Sequence, residues 1–343
     1  MEREKKRVTF AALAQKACVG LATVDRVLNE RGGVSPQTTR KILQAARKAG
    51  LKRILPEEHR QPWQLEVLLS GNDSFFFRQL ANDFAAVATS LSYRRLTLHR
   101  TFIPEDRPEQ LAAHIIQRSK QRDGMIVFAH EHPAIFDALA LCRQRDVPVI
   151  TLATDLPGAQ RLCHVGINQL QAGRTAGLMM GRMLHQPGEV IMISGRFDYS
   201  AHRQRIKGFR EVLQQRFPHI RLREALAGEE QRDTISKLLE QQLTQSDAVV
   251  GIYNTGLGNT QISEALARHR LLYHCAWITH ELYPTTQALL AQGVLSLTLD
   301  QNSRRHAQLA IELMLRYLDG GDVPQTYADG KVEFMLYTEE NYR

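Results

Sequence analysis

Polar and aromatic residues that could bind a small molecule follow several short β-rich runs of this chain. The segment Asn72–Phe77 (NDSFFF) comes soon after the run that ends at Leu69. Planar polar groups can hydrogen-bond pairs of hydroxyls, and aromatic faces stack on the C–H face of a sugar ring. The pattern predicts a polyol site built from Asp73, Phe75, Phe76, Asp155, Arg203, Asn254, His280 and Gln301.

Each of these residues also has a plainer interpretation. The three phenylalanines at 75–77 could be core residues at the start of a helix, and Arg203 and Arg205 could be solvated helix charges. His280-Glu281 could be an acid–base pair, but no nucleophile accompanies it, so ligand contact is favoured over catalysis.

Metal and nucleotide chemistry are not favoured. His130-Glu131-His132 is interpreted as a surface loop, because adjacent residues rarely chelate one ion. Gly256-Leu-Gly258 is a lone glycine pair, more typical of a turn than of a phosphate cradle, and no Walker-type loop follows any run. We therefore expect no enzyme, no metal and no cofactor.

The elements that must position these residues alternate along residues 64–343. Amphipathic helical stretches, such as Phe77–Ser90, Pro108–Arg118 and Ala134–Arg145, separate the β-rich runs. This alternation predicts an α/β body with parallel sheets covered on both faces. Nine or more strands favour two doubly wound subdomains, with ligand beyond the carboxyl ends of the strands. The runs are 64–69, 96–102, 124–129, 148–153, 189–194, 220–226, 248–253, 275–279 and 295–300.

The first 55 residues are different, because they hold 13 of the 44 Lys and Arg residues against four acids. They read as three short helices. Thr9 caps the first over 9–17, the second covers Leu21–Asn29, and Ser35 caps a third that ends at Gly50. This arrangement predicts a small all-α helix-turn-helix module that binds DNA. A generic basic helical hairpin for protein contacts is the alternative.

This module resembles the headpiece of the lactose/galactose repressor (LacI/GalR) family. The resemblance rests on Val8-Thr9, Leu13-Ala14, Ala17, Val19, Ala22-Thr23-Val24, Arg26-Val27-Leu28-Asn29, Val34-Ser35, Thr39, Ile42 and Ala45. It implies that Leu21, Ala22 and Arg26 face base edges and that Thr23 and Asn29 touch phosphate or the helix frame. Thr9 and Ser35 complete the predicted DNA-binding set.

Two departures from the family pattern concern function. Asp25 replaces a small polar residue, where a carboxylate would repel phosphate or accept from a cytosine amino group. The family's hinge motif is not visible in residues 51–62, which include Pro56 and Pro62.

The body resembles the type I periplasmic sugar-binding-protein fold, in particular its ribose-binding branch. The motifs are Asn72-Asp-x-Phe-Phe76, Pro148–Leu152 with Asp155, Val165-Gly166, Ala172-Gly173, Arg203, Gly208-Phe209, Asn254 and Asp300-Gln301. The resemblance implies that Asp73, Phe76, Asp155, Arg203, Asn254, His280 and Gln301 line a cleft between two subdomains. His280 stands where sugar binders usually place an aspartate.

The implied organisation is a headpiece over 1–55, a linker over 56–63 and a ligand-binding domain over 64–343. Its first subdomain would cover about 64–167 and 302–328, and its second about 168–301 and 329–343. We expect a repressor that binds a pseudo-palindromic double-stranded operator as a homodimer, controlled by a sugar or polyol effector.

Location follows from the same residues. Four scattered cysteines without metal-site spacing fit a reducing cytoplasm, and no window approaches the length of a membrane helix. A periplasmic-type transport protein without a DNA role is the alternative. It requires export, which the charged and interrupted residues 1–20 do not favour.

Overall fold

The computed structural model describes residues 8–29, 31–51, 62–72, 74–91 and 96–343, with residues 36, 37, 40 and 47 described by backbone only. The predicted site residue Asp73 and the predicted linker 56–61 lie outside these ranges. The chain divides into two compact units: Met1–Trp63 with Leu315–Asp322, and Gln64–Met314 with Val323–Arg343. Each is described by itself.

The N-terminal segment forms the three expected helices: α1 (Phe10–Ala17), α2 (Leu21–Leu28) and α3 (Pro36–Lys48). The Thr9 side chain caps α1 by accepting from the Ala12 amide. Leu13, Ile42 and Leu43 have no exposed surface, so the three helices pack around one apolar core. A strand-free module of this size is stabilised by that core and by its caps.

The body begins with a five-stranded sheet in the order β2-β1-β3-β4-β5. The strands are β1 (Trp63–Ser70), β2 (Leu96–Ile103), β3 (Gly124–Val127), β4 (Val149–Leu152) and β5 (Cys163–Val165). The helices between them are α4 (Phe75–Ser90), α5 (Pro108–Arg118) and α6 (Pro133–Gln144). β3 pairs in parallel with β1 and β4, and β4 with β5. β3 and β4 are buried at every position, as expected of a sheet covered on both faces.

A second sheet has the order β12-β11-β10-β9-β6-β7, with β8 paired to β6. Its elements are α7 (Gln169–Met183), β6 (Gly188–Ser194), α8 (Ser200–Arg216), β7 (Ile220–Leu222), β8 (Leu226–Ala227), α9 (Arg232–Thr244), β9 (Val249–Asn254), α10 (Asn259–Arg268), β10 (Ala276–His280), α11 (Pro284–Ala291), β11 (Leu297–Asp300), α12 (Ser303–Gly320) and β12 (Met335–Tyr337). All its pairings are parallel except that of β11 with β12.

The α/β architecture with two parallel sheets is confirmed, and the differences are local. The predicted strand over 220–226 is two strands, β7 and β8. The sequence reading missed β5 and β12, which have three residues each and are too short to give a period-2 pattern.

α12 follows the second sheet's β11 but returns to the first sheet. A Cβ atom on Gly124 would lie 2.5 Å from the sulfur of Met314, so glycine in β3 permits this close approach. The chain therefore passes between the sheets after β5, after β11 and again before β12. Among the described residues, no helix combines the length and the apolar character needed to cross a membrane.

Candidate functional site

Two surfaces of the chain carry the chemistry predicted from the sequence, and the first is the exposed face of α2. Leu21 is 54% exposed, and Ala22 and Arg26 are also exposed. On the opposite face Val24 and Leu28 are buried in the helical core. The three residues expected to read bases are therefore free of the core.

The other predicted DNA-binding residues are placed mainly by helix capping. The Ser35 hydroxyl accepts from the Thr38 amide at 3.2 Å, as Thr9 does at the start of α1. Thr23 and Asn29 are half-buried. Capping side chains set where each helix begins, so these hydroxyls contribute to the frame of the module.

Asp25 does not present a free carboxylate. Its Oδ1 accepts from the Asn29 side chain at 2.6 Å, and its Oδ2 accepts from Nη1 of Arg31 at 2.8 Å. Arg31 is 65% exposed in its side chain, so the pair places a guanidinium beside the recognition face. Both interpretations of Asp25 from the sequence assumed that its carboxylate is unpaired. In the structure this carboxylate is paired.

The second surface is a cavity of about 330 Å³ in the body. Its walls come from segments at the carboxyl ends of strands in both sheets, where open α/β sheets bind ligands. The lining of the cavity includes Asn72, Phe75, Phe76, Glu105, Phe128, Tyr199, His202, Arg205, Glu230, Thr255, His280, Glu281, Tyr283 and Gln301.

The structure brings four of the predicted effector residues to this cavity: Phe75, Phe76, His280 and Gln301. The Phe75 ring stacks on Tyr283 with centroids 5.3 Å apart and planes 22° apart. Phe128 lies against Tyr199 at 5.1 Å. Aromatic faces therefore form opposite parts of the wall.

Three predicted effector residues are engaged elsewhere. Asp155 accepts from Arg161 at 2.7 Å and from Thr151 at 2.9 Å. The Asn254 side chain is fully buried and donates to the backbone and side chains of its own loop. Arg203 pairs with Glu131 and donates to the Phe197 carbonyl. None of the three lines the cavity.

Arg205 lines the cavity, whereas the prediction from the sequence placed Arg203 there. Both lie on α8, but two helical positions rotate a side chain by roughly 200°, so the two point to opposite sides. Arg205 is 3% exposed, whereas the Arg203 side chain is 42% exposed. Burial of one of two neighbouring arginines is a tertiary effect that the local pattern does not contain.

A chain of hydrogen bonds runs from Arg205 along the cavity wall. Its Nε donates to Oε1 of Gln169 at 2.7 Å, and its Nη1 donates to the Thr255 carbonyl. Nε2 of Gln169 donates to Oε1 of Gln301 at 3.0 Å, and Nε2 of Gln301 donates to Glu281 at 2.5 Å. Because a guanidinium can only donate, the orientation of both amides is fixed.

The cavity also contains three carboxyl groups outside the predicted set of effector residues: Glu105, Glu230 and Glu281, of which the sequence analysis considered only Glu281 as a ligand contact. Burial raises the pKa of Glu105. Burial, with repulsion from Glu105, raises the pKa of Glu230 to about 7. Burial, with repulsion from Asp300, raises the pKa of Glu281 to about 8. Glu230 follows β8, which the sequence analysis did not separate from the run 220–226, so the end of that strand was not used to place a site residue.

The two histidines of the wall are held neutral. Burial and the nearby Arg205 lower the pKa of His202 to about 3 and that of His280 well below its ordinary value. His202 lies 3.6 Å from Glu230; its lowered pKa keeps the imidazole uncharged near neutral pH, whereas Glu230, with a pKa of about 7, is partly ionised there. Nε2 of His280 lies 2.9 Å from the Tyr253 hydroxyl, and its Nδ1 has no partner.

The loop at 130–132, predicted to lie at the surface, has a buried His130, whose ring lies 6.2 Å from that of His132. His130 lies 4.0 Å from Asp198, and His132 lies 3.5 Å from Glu109. Glu131 pairs instead with Arg203. In the part of the chain that the structure describes, no three His, Cys, Asp or Glu side chains are grouped so as to hold a metal ion.

The chain matches two families. Residues 66–322 match periplasmic binding protein domains, and residues 9–52 match the bacterial regulatory proteins of the lacI family. It is similar to catabolite control protein A of Priestia megaterium, with 24% identity over 73% of this chain and 76% of that protein.

Solved structures of two sugar-binding proteins share the fold of the body. The glucose-galactose binding protein GanP of Geobacillus stearothermophilus aligns at 18% identity and a TM-score of 0.73, over 82% of this chain and 99% of that one. A transporter solute-binding protein of Burkholderia graminis, solved with D-arabinose, aligns at 18% identity and a TM-score of 0.75, over 82% and 98%. At this identity the likeness concerns the fold.

Proposed function

Because the chain belongs to the periplasmic binding protein domain family and carries an N-terminal domain of the lacI family of bacterial regulatory proteins, we propose that it represses transcription under control of a small effector. One observation carries the proposal: the same chain has an exposed recognition helix and an enclosed cavity with polar and aromatic walls. Such a regulator acts in the cytoplasm.

The DNA-binding step uses the exposed face of α2. Arg26 can donate two hydrogen bonds to a guanine edge, and Leu21 and Ala22 can contact a thymine methyl. One module of this size reads only a half-site, so two copies bind a pseudo-palindromic operator as a homodimer. The arginines near this face add sequence-independent attraction to phosphate.

The effector-binding step uses the cavity. The aromatic rings of Phe75, Tyr283 and Phe128 suit the C–H faces of a sugar or polyol, and the cavity volume suits a monosaccharide. The wall is contributed by both sheets, so a bound ligand favours one arrangement of the sheets over others. An effector changes operator affinity only through such differential binding.

A transport protein with the same cavity is the second candidate, supported by the likeness of the body to exported sugar-binding proteins. A transport function gives the exposed face of helix α2 no role. The two candidates differ in DNA binding alone, which makes the deciding experiment simple.

Selection from random duplexes at moderate salt tests the proposal. We expect wild-type protein to enrich one palindromic sequence, and Arg26→Ala to lose or relax that selectivity. Glu211→Ala on the body is the matched control, because Glu211 pairs only with residues of the body. Recovery of unselected sequences by the wild type would exclude a sequence-specific regulator.

A further inference from the structure

The buried and half-buried acids of the body differ in their partners. Outside the cavity, three of them each have an arginine at hydrogen-bond distance: Glu66 with Arg122 at 2.7 Å, Asp155 with Arg161 at 2.7 Å and Glu189 with Arg223 at 2.9 Å. This is the usual arrangement, since an unpaired buried charge is costly.

The cavity acids have no such partner. Within the described residues, no Lys or Arg nitrogen lies within 4.0 Å of Glu105, Glu230 or Glu281, and each of the three accepts from an amide. The Asn72 amide donates to Glu105 at 2.7 Å, and the Leu257 backbone amide donates to Glu230 at 3.3 Å. The cation that would complete each of these sites is missing from the described chain.

The arginines of the wall do not supply that cation. Arg205 is a buried charge that is attracted to Glu230 and Glu281, but two of its nitrogens are already bonded to Gln169 and Thr255. Arg78 and Arg232 also contribute to the lining, but both are exposed to solvent, which screens their charge. The buried part of the cavity therefore holds more acidic groups than basic ones.

A second, independent feature indicates a ligand at this place. His280 is 2% exposed and lines the cavity, yet its Nδ1 has no hydrogen-bond partner among the residues that the structure describes. The buried Tyr253 hydroxyl has His280 as its partner, so its proton is satisfied only by donation to Nε2. The neutral imidazole then carries its proton on Nδ1, as a donor without an acceptor.

The backbone at two of the acids is strained in the same way. Glu230 has a φ of 56° and Glu281 a φ of 69°, in the left-handed region that costs energy for residues other than glycine. Strain of this kind clusters at ligand sites. In both residues the strained backbone carries a side chain that lines the cavity.

We propose that the effector is an amine-bearing polyol of the amino-sugar type, whose ammonium group supplies the missing cation beside Glu230 and Glu281 and whose hydroxyl accepts from Nδ1 of His280. This inference rests on the proposed effector role of the cavity and specifies its ligand. The raised pKa values leave Glu230, at about 7, roughly half protonated near pH 7 and Glu281, at about 8, largely protonated. Binding of an ammonium group therefore ionises them, and protons are released to solvent.

Matched pairs of probes test the charge requirement. D-glucosamine and D-galactosamine are compared with D-glucose, D-galactose and D-gluconate by thermal shift and calorimetry on the full chain. We expect an amino sugar to bind at least about tenfold more tightly than its neutral partner, which is about 1.4 kcal/mol. Proton release should appear as a dependence of the heat on the buffer.

Glu281→Gln provides the complementary variant, since it keeps the size of the side chain and its bond from Gln301. It should lose the preference for the amine, whereas Glu66→Gln, which alters an acid outside the cavity, should keep it. Equal or tighter binding of the neutral or acidic sugar overturns the inference, as does the absence of any shift with both amines at about 10 mM. Sequence-selective DNA binding would survive either result, so the proposed regulator would stand.

A measurement without ligand tests the same acids. The pKa of Glu281 is raised from 4.5 to about 8, so the folded state retains a proton that the unfolded chain has released. Unfolding free energy should therefore fall as the pH rises from about 5 to about 8. Glu281→Gln should flatten this slope. An unchanged slope in that variant would contradict the assignment of Glu281 as an unpaired acid.

Discussion

The DNA-facing surface and the cavity are built in opposite ways. The proposed base-reading residues lie within six positions of one helix, and every one of them is exposed. The cavity wall comes from segments that follow strands in both sheets, and its key groups are buried. A surface on one helix can therefore be altered one residue at a time, whereas a change in the cavity affects the packing of the body.

The two regions also treat charge differently. The recognition face is basic and solvated, and its acid, Asp25, is paired with Arg31 at 2.8 Å. In the cavity, no arginine of the described residues is paired directly with any of the three acids. An acid that is paired with an arginine of the protein stabilises a permanent surface, whereas an acid without such a partner indicates a ligand that binds and dissociates.

The largest effect should come from Arg26→Ala. Loss of a bidentate guanine contact costs about 1–3 kcal/mol, or roughly 5- to 150-fold in affinity for the selected duplex. Fluorescence anisotropy measures this change, and the thermal stability of the body should stay the same. A simultaneous loss of sugar response would show that the two regions are not separable in this way.

A smaller effect should come from Arg31→Ala. It leaves Asp25 as a carboxylate beside the DNA, so affinity for any duplex should fall by roughly threefold to tenfold with a shallower salt dependence. Asp25→Ser in the same chain should restore most of the loss, because the repelling charge is then absent. Failure of this double variant to recover would indicate that Arg31 itself contacts DNA.

An effect of at least similar size to that of Arg31→Ala, on stability and not on affinity, should come from Tyr283→Ala in the cavity wall. The lost stack on Phe75 is worth about 0.5–1.5 kcal/mol of unfolding free energy beyond the buried area. Tyr273→Ala is the matched control, since Tyr273 is 69% exposed. Urea unfolding measures both, and equal stability of the two variants would mean that the stack contributes nothing.

The same contrast explains what could be predicted from the sequence. The helices of the headpiece were predicted nearly to the residue, because caps such as Thr9 and Ser35 are local signals. The alternation of strands and helices likewise gave both sheets. These features depend on neighbours in sequence, which a single chain displays directly.

The composition of the cavity was only partly predictable. Phe75, Phe76, His280 and Gln301 were placed by the rule that ligands lie beyond strand ends. Arg205 was not chosen over Arg203, because burial of one side of α8 depends on distant elements. Glu230 was not identified as a cavity residue, because it follows β8, a strand of two residues that is too short to show a period-2 pattern.

The hydrogen-bond chain from Arg205 to Glu281 has a consequence for how the body can move. Its middle members, Gln169 and Gln301, lie next to the two segments where the chain first passes between the sheets. Neither amide can reverse alone, because two donors or two acceptors would then face each other. Any movement of these two segments relative to each other therefore has to break the hydrogen bond between Gln169 and Gln301, because no partial rearrangement of the amides preserves it.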